Sequence, residues 1–152
     1  MQHNFTEPDS RIMKGLDGFV QACNAQIAVE PVLQLIVGQA VTQQANDKKQ
    51  LLPMIEVVKQ QSGQKVRAVL ADSGYCSEQN LRAAAKKNVD LYVATGKQKH
   101  NRSPQPCPCG RIPKSATQVD RMKRKLATVA GRAIYARRKT VVEPDFGQIK
   151  QA

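Results

Sequence analysis

Two carboxylates stand where they could hold a metal ion. Asp72 follows a short apolar run, residues 66–71, and precedes Ser73-Gly74, so we expect it at the exposed end of a strand. Glu143 lies within a strongly basic segment, whose cations could hold phosphates. Carboxylate oxygens are the ligands that Mg²⁺ prefers, and two-metal phosphoryl transfer needs several of them around ions about 4 Å apart. The pair therefore indicates a divalent-metal site acting on a phosphate ester.

Each carboxylate also has an ordinary structural alternative. An aspartate after a strand commonly caps a turn or a helix through its side-chain oxygens. A glutamate among Lys and Arg in a helix commonly forms a surface ion pair. Position in the sequence leaves both alternatives open.

The net charge of +12 is concentrated in the C-terminal part of the chain. Residues 1–95 carry 10 Lys and Arg against 9 Asp and Glu, whereas residues 96–152 carry 14 against 3. So basic a segment predicts a nucleic-acid partner, since each neutralised phosphate releases counterions. Charge does not distinguish DNA from RNA, or a binding protein from an enzyme. Aromatic residues make up only 4%, which counts against an RNA-binding protein that stacks single-stranded bases.

The cysteines and the hydropathy predict a cytoplasmic protein. The four cysteines are Cys23, Cys76, Cys107 and Cys109. We expect free thiols, because the N-terminus has no secretory signal. Cys107 and Cys109 with His100 hint at zinc, but their C-x-C spacing differs from the C-x₂-C of zinc knuckles. No apolar run approaches the ~20 residues of a membrane helix, so no membrane partner is expected.

The pattern of apolar residues predicts one α/β domain. In chain order we expect strands over 24–30 and 33–42 forming an antiparallel hairpin, then a helix that Asn46 or Asp47 caps and that runs to about Gln61, where Ser62-Gly63 stops it. A strand over 66–71, a helix that Ser77 opens and that runs to Asn88, and a strand over 89–95 follow. The remainder is a basic, mobile insertion loop at about 96–117 and helical sequence over 118–150 that Gly131 divides. Residues 1–20 are polar and predict no strand. Pro53 predicts a bent first turn or a later helix start, and Pro144 fits a helix start or a kink.

Ordered motifs along the chain resemble the DDE transposases of bacterial insertion sequences. The matching segments are 4–14, 24–29, 41–47, 71–78 (ADSGYCSE), 92–96 and 135–150. The resemblance implies an RNase H-like mixed sheet flanked by helices. It also implies DNA transposition by metal-dependent strand cleavage and transfer, with Mg²⁺ or Mn²⁺ as the cofactor. The implied partner is double-stranded DNA, as transposon ends and target, and the implied assembly is a homodimer in a synaptic complex at the bacterial nucleoid.

The same resemblance implies roles for five residues. Asp72 and Glu143 would be the second and third catalytic acidic residues and would hold the metal. The family signature Y-x₂-R-x₃-E-x₆-K matches Tyr135, Arg138, Glu143 and Lys150, with an Arg-to-Glu gap one residue longer. Tyr135, Arg138 and Lys150 are then expected to bind DNA. If the segment is helical, Glu143 and Lys150 lie two turns apart on one face.

The first catalytic aspartate of the family has no counterpart in the predicted elements. In the family it lies on the central strand, before the first matching segment. Asp9 and Asp17 lie in polar sequence and are poor substitutes, and Glu30 does not stand at the catalytic position. Four strands are predicted where the fold has five. We therefore expect residues 1–152 to be an N-terminally truncated catalytic domain, inactive by itself, or a remnant that binds DNA through residues 96–152 without cutting it.

Overall fold

A computed structural model confirms the predicted α/β fold. It describes residues 6–15, 18–96 and 106–151. Only the backbone is described for residues 143, 145, 146 and 148–151. The strands within these ranges are β1 (Arg11–Lys14), β2 (Phe19–Ala22), β3 (Asn24–Glu30), β4 (Leu35–Thr42), β5 (Ala68–Ala71) and β6 (Asp90–Val93). The helices are α1 (Leu51–Ser62), α2 (Glu78–Lys86), α3 (Gln118–Ala127) and α4 (Val129–Gln151), with 3₁₀ helices at Asp47–Lys49 and Ser73–Tyr75.

The strands pair in three two-stranded sheets. β1–β2 and β3–β4 are antiparallel hairpins, and β5–β6 is a parallel pair. The prediction of no strand in residues 1–20 was wrong, so the described chain has six strands rather than four. The first hairpin was missed because its strands are four residues long and mostly exposed on both faces, so they show no buried alternation. Among the described residues no backbone ladder joins the three pairs into one sheet.

Helix α1 packs closely over the β3–β4 hairpin at Gly38. A Cβ added to Gly38 would lie 2.8 Å from Cγ2 of Val58 and 3.2 Å from Sδ of Met54. Only a residue without a side chain therefore allows the helix to approach β4 this closely.

The ends of α1 follow the sequence. Asn46 caps the preceding 3₁₀ helix by accepting the Lys48 N–H at 3.0 Å. The helix itself begins at Leu51, so Pro53 falls in its first turn, where the missing N–H costs no helical hydrogen bond. Gly63 ends the helix with φ of 64°, as the predicted stop requires.

The buried core surrounds the parallel pair β5–β6. Its members are Leu51, Ile55, Ala71, Leu81, Ala84, Val89, Leu91, Val93 and Met122. These side chains come from α1, α2, α3, the two strands and the residue before β6, and Val93 is fully buried. Removal of this apolar surface from water fixes the two strands, and with them the backbone at their carboxyl ends.

Helices α3 and α4 meet at a sharp corner. The chain turns at Thr128, whose backbone is extended (φ −70°, ψ 157°), and not at Gly131 as predicted. Gly131 is nevertheless required by the corner, because a Cβ there would lie 2.0 Å from the carbonyl oxygen of Lys125. Pro144 lies in the interior of α4, not near its start.

The basic insertion contains neither helix nor strand over its described part, residues 106–117. Arg124 of α3 donates to the carbonyl of Cys109 at 2.9 Å and so ties this part to the helix. Residues 97–105 of the predicted insertion, and the mobility predicted there, lie outside the described residues.

Glu78, the first residue of α2, anchors the start of α3. Its carboxylate accepts the backbone N–H groups of Gln118 at 3.0 Å and Val119 at 3.2 Å. It also pairs with Arg82 at 3.1 Å. The bond from Gln118, followed by those from Val119 and Arg82, holds the pKa of Glu78 below its ordinary value of 4.5. The charged carboxylate therefore stabilises the docked helix.

The Glu78 carboxylate should make the stability of the fold depend on pH. Because the folded-state pKa of Glu78 is lowered, its stabilisation is complete above pH 4.5 and is lost as the pH falls through the folded pKa. We expect Glu78→Gln, which does not titrate, to show a smaller fall in urea midpoint than the parent between pH 6 and pH 3. Arg82→Ala, which keeps the two backbone bonds, should follow the parent. Parallel curves for parent and Glu78→Gln would contradict the assignment.

Candidate functional site at the carboxyl ends of β5 and β6

Asp72 lies directly after β5 and begins the 3₁₀ helix Ser73–Tyr75. Its Oδ1 accepts the Gly74 N–H at 2.8 Å and the Ser73 hydroxyl at 3.3 Å. Its other oxygen, Oδ2, accepts no hydrogen bond from the described residues, and the residue is exposed. The capping alternative is therefore correct, yet it is compatible with a ligand role: one oxygen fixes the carboxylate, and the other accepts no hydrogen bond from the described residues.

Helix α4 brings Tyr135 to the same edge of the parallel pair. Because Ala71 pairs with Val93 in parallel register, Asp72 and Ala94 leave the two strands side by side. Tyr135 is half-buried there, and burial raises its pKa. The positive charge of Arg138 lowers that pKa, the negative charge of Asp72 raises it, and a hydrogen bond with the Ala94 backbone lowers it. Three of the five predicted site residues are thus close enough to interact electrostatically.

Arg138 supplies an unpaired donor at this edge. Its guanidinium carbon lies 5.7 Å from the centre of the Tyr135 ring, within the range of a cation–π contact. Its Nε is buried and has no hydrogen-bond partner among the described residues. A buried donor left unpaired costs about 1–3 kcal/mol, and more when it is charged. An acceptor from outside the described part of the chain would remove that cost.

Glu143 and Lys150 lie on the same helix as Tyr135 and Arg138. The segment is helical, so the two residues are separated by two turns within α4. Their side chains lie outside the described part of the chain. The turn between β3 and β4 reaches α4 near these residues, because Gln34 donates to the carbonyl of Thr140 at 3.4 Å.

The acidic residues set aside in the sequence have structural partners or are not described. Glu30 accepts the N–H groups of Val32 at 3.0 Å and Leu33 at 2.7 Å, which closes the turn of the hairpin. Asp9 accepts the side-chain amide of Gln43 at 3.3 Å. Asp17 lies outside the described residues.

Sequence analysis missed a second acidic residue next to this site, Asp47. It was interpreted only as a helix cap, but its carboxylate accepts two side-chain amides from β3 and lies against Gly74. A signal existed in the sequence: Gln26, one of the two donors, is a polar residue inside a strand and only 4% exposed. A buried amide requires a partner.

The described residues include the side chain of Asp72 but not that of Glu143, the other predicted metal ligand. No group of three or more His, Cys, Asp or Glu side chains clusters within them. Asp72 offers one outward oxygen, which suits Mg²⁺ or Mn²⁺ in chemistry. The four cysteines are free thiols, and Cys107 and Cys109 are exposed. His100, the third residue of the zinc alternative, lies outside the described part.

Fold and site together define an α/β domain with an acidic strand end facing a cationic helix. The family model described as the transposase DDE domain matches residues 6–152, and the chain belongs to this family. The family carries out DNA transposition, with chemistry that depends on divalent metal and acts on DNA. No match was found among curated proteins or among solved structures. None of the described helices is both long and apolar enough to cross a membrane.

The electrostatic contacts of Tyr135 predict opposite effects of two substitutions on its pKa. Asp72→Asn removes a charge that raises this pKa, so the pKa should fall. Arg138→Met removes a charge that lowers it, so the pKa should rise. The Tyr135 Cζ chemical shift, followed by ¹³C NMR above pH 8, measures both effects.

The matched control is Asp90→Asn. Asp90 raises the pKa of Tyr92, and so this substitution should shift Tyr92 and leave Tyr135 unchanged. A Tyr135 titration that Asp72→Asn does not move would show that the two residues are not neighbours.

Proposed function

We propose that this chain carries part of the active site of a DDE transposase that cuts DNA strands and transfers them. Asp72 and Glu143 would be carboxylate ligands of Mg²⁺ or Mn²⁺, and Tyr135, Arg138 and Lys150 would contact DNA. The observation that supports this most directly is that Tyr135 interacts electrostatically with both Asp72 and Arg138, which brings a carboxylate and a guanidinium to the same edge of the parallel pair. A site that binds a metal-bridged phosphate needs an anionic ligand and a cationic donor at one edge.

The residues of this edge divide the work of phosphoryl transfer. When bound, the metal ions supply Lewis acidity at the phosphodiester and favour deprotonation of the attacking water or 3′-hydroxyl. Asp72, with Oδ1 held by Gly74, would present Oδ2 in a fixed direction. Arg138 would donate a charge-assisted bond from its guanidinium to a phosphate oxygen. The ring of Tyr135 would keep the guanidinium in place through the cation–π contact.

Double-stranded DNA, as transposon ends and target, is the proposed partner. Exposed cations follow the two C-terminal helices: Arg121, Lys123, Arg137 and Lys139. Lys125 is excluded from this set because it pairs with Asp90 and lies 3.6 Å from the ring centre of Tyr92. Charges of this kind position a duplex by its phosphates without reading its sequence. A homodimer in a synaptic complex in the bacterial cytoplasm, at the nucleoid, completes the proposal.

The capping bonds of Asp72 favour a second candidate function. An aspartate whose Oδ1 closes its own turn has a sufficient structural role. The chain would then be a remnant that binds DNA through residues 96–152 and does not cut it. Its affinity would still fall steeply with salt, with a slope of about −0.9 per phosphate contacted.

Nicking of supercoiled plasmid by the purified chain in Mg²⁺ or Mn²⁺ tests the proposal. If the purified chain holds enough ligands to be active, against the prediction of an inactive truncated domain, its metal-dependent nicking should fall to background in Asp72→Ala and in Glu143→Ala, because each removes a proposed metal ligand. Arg138→Met should reduce the rate, and DNA binding by Asp72→Ala should be retained.

Glu56→Ala is the matched control, since it removes an exposed carboxylate paired with Lys87 and leaves the strand ends untouched. Nicking that persists in Asp72→Ala would contradict the proposed role of Asp72. A parent chain that binds DNA with a steep salt dependence and does not nick it would support an inactive chain, either the remnant or the truncated catalytic domain.

A further inference from the structure

A group of polar side chains connects the β3–β4 hairpin to the turn that carries Asp72. Its members are Asn24 and Gln26 of β3, Asp47 of the first 3₁₀ helix, Tyr75 of the second and Asn80 of α2. Gln26 and Asn80 are each 4% exposed. Buried amides of this kind are expensive to leave unpaired, so their partners are fixed.

Asp47 is at the centre of this group. Its Oδ1 accepts the side-chain amides of Asn24 and Gln26, each at 2.7 Å. Both are charge-assisted bonds, which are shorter and stronger than bonds between neutral groups. Together they hold the carboxylate of Asp47 at a set position relative to β3.

The other oxygen of Asp47 contacts the turn that follows Asp72. A Cβ added to Gly74 would lie 2.8 Å from Oδ2 of Asp47, so the two residues are in close contact. Gly74 is also the residue whose N–H, at 2.8 Å, holds Oδ1 of Asp72. Gly74 thus contacts the carboxylate of Asp47 and also donates its N–H to the carboxylate of Asp72, the proposed metal ligand.

Two further contacts close the group around this turn. The Tyr75 hydroxyl donates to Oε1 of Gln26, the same amide that donates to Asp47. Asn80 donates to the carbonyls of Lys48 at 2.6 Å and Tyr75 at 2.8 Å, which ties the two 3₁₀ helices together. Burial raises the pKa of Tyr75 to about 12, with the charges of Asp47 and Asp72 adding to the effect. The phenol therefore stays a hydrogen-bond donor at neutral pH.

We infer that Asp47 is a positioning residue for Asp72. It acts through Gly74 and through the Gln26–Tyr75 bond, and it sets the direction in which Oδ2 of Asp72 faces. The inference rests on the proposed function, in which Asp72 is a metal ligand. Groups that orient metal ligands typically change activity or metal affinity 10–100-fold when they are removed.

Amide hydrogen exchange tests the positioning without requiring activity. The N–H groups of Gly74, Tyr75 and Cys76 are bonded within the turn, to Asp72 Oδ1, Asp72 O and Ser73 O. Asp47→Ala should speed their exchange about tenfold or more, while amides in the middle of α2 keep the parent rate. Asp47→Asn should restore protection, because its carbonyl oxygen can accept the same two amides.

Asp9→Ala is the matched control for this measurement. It removes the same kind of bond, from a side-chain amide to an aspartate, in the N-terminal part of the chain. It should leave exchange at Gly74, Tyr75 and Cys76 unchanged. Equal exchange in Asp47→Ala and the parent would overturn the inference.

A second variant covers the case in which Asp47→Ala does not fold. Gly74→Ala keeps every member of the group but adds a Cβ that must displace the Asp47 carboxylate or the turn. It should also speed exchange in the turn, and an unchanged rate in this variant would overturn the inference as well.

The nicking assay distinguishes a failure of this inference from a failure of the proposed function. If the parent chain nicks DNA, Asp47→Ala should lower the metal-dependent nicking rate about 10–100-fold with no change in its dependence on DNA concentration. If it does not, hydrogen exchange alone tests the inference. Asp47→Asn should recover most of that rate. If Asp72→Ala still nicks DNA, the proposed function fails, and hydrogen exchange alone then decides whether Asp47 holds the turn.

Discussion

The parallel pairing of β5 with β6 is the constraint on which the site depends. The four paired positions, Ala68–Ala71 against Asp90–Val93, bring both strands to an end at one edge. Residues from α1, α2 and α3 bury this pair, and Val93 is entirely inaccessible to solvent. A buried parallel pair cannot shift by one residue without moving its side chains to the wrong face. The positions of Asp72 and Ala94 are therefore fixed by the packing of the core.

Two groups of contacts then act on this edge. Helix α4 brings Tyr135 and Arg138 to this edge, where the Nε of Arg138 has no hydrogen-bond partner among the described residues. Asp47, held by two amides of β3, supports the turn behind Asp72. The β3–β4 hairpin thus contributes to the same site although its backbone is not paired with β5–β6 in the described residues. Side-chain bonds, rather than a shared ladder, connect the two sheets here.

Local sequence signals predicted the elements and part of the site. The run over 66–71, Ser77 as a helix cap and Gly63 as a stop have short-range causes, and each is confirmed. The first hairpin could not be predicted, because exposed four-residue strands carry no periodicity. The corner at Thr128 was wrongly predicted at Gly131. The glycine is required by the close approach of the Lys125 carbonyl oxygen and not by the turn itself. Asp47 was missed because its role comes from partners on β3 that are more than 20 residues away.

The measurement closest to the central claim is the broadening of backbone amide signals by Mn²⁺ in NMR spectra of the whole chain. If Asp72 and α4 share one metal site, broadening should be strongest in three segments: 72–74, 94–95 and the turn of α4 around Glu143. The α1 amides near Val58 should stay sharp, and Asp72→Asn should abolish the effect. Broadening that survives Asp72→Asn, or that centres on Cys107 and Cys109, would contradict the claim.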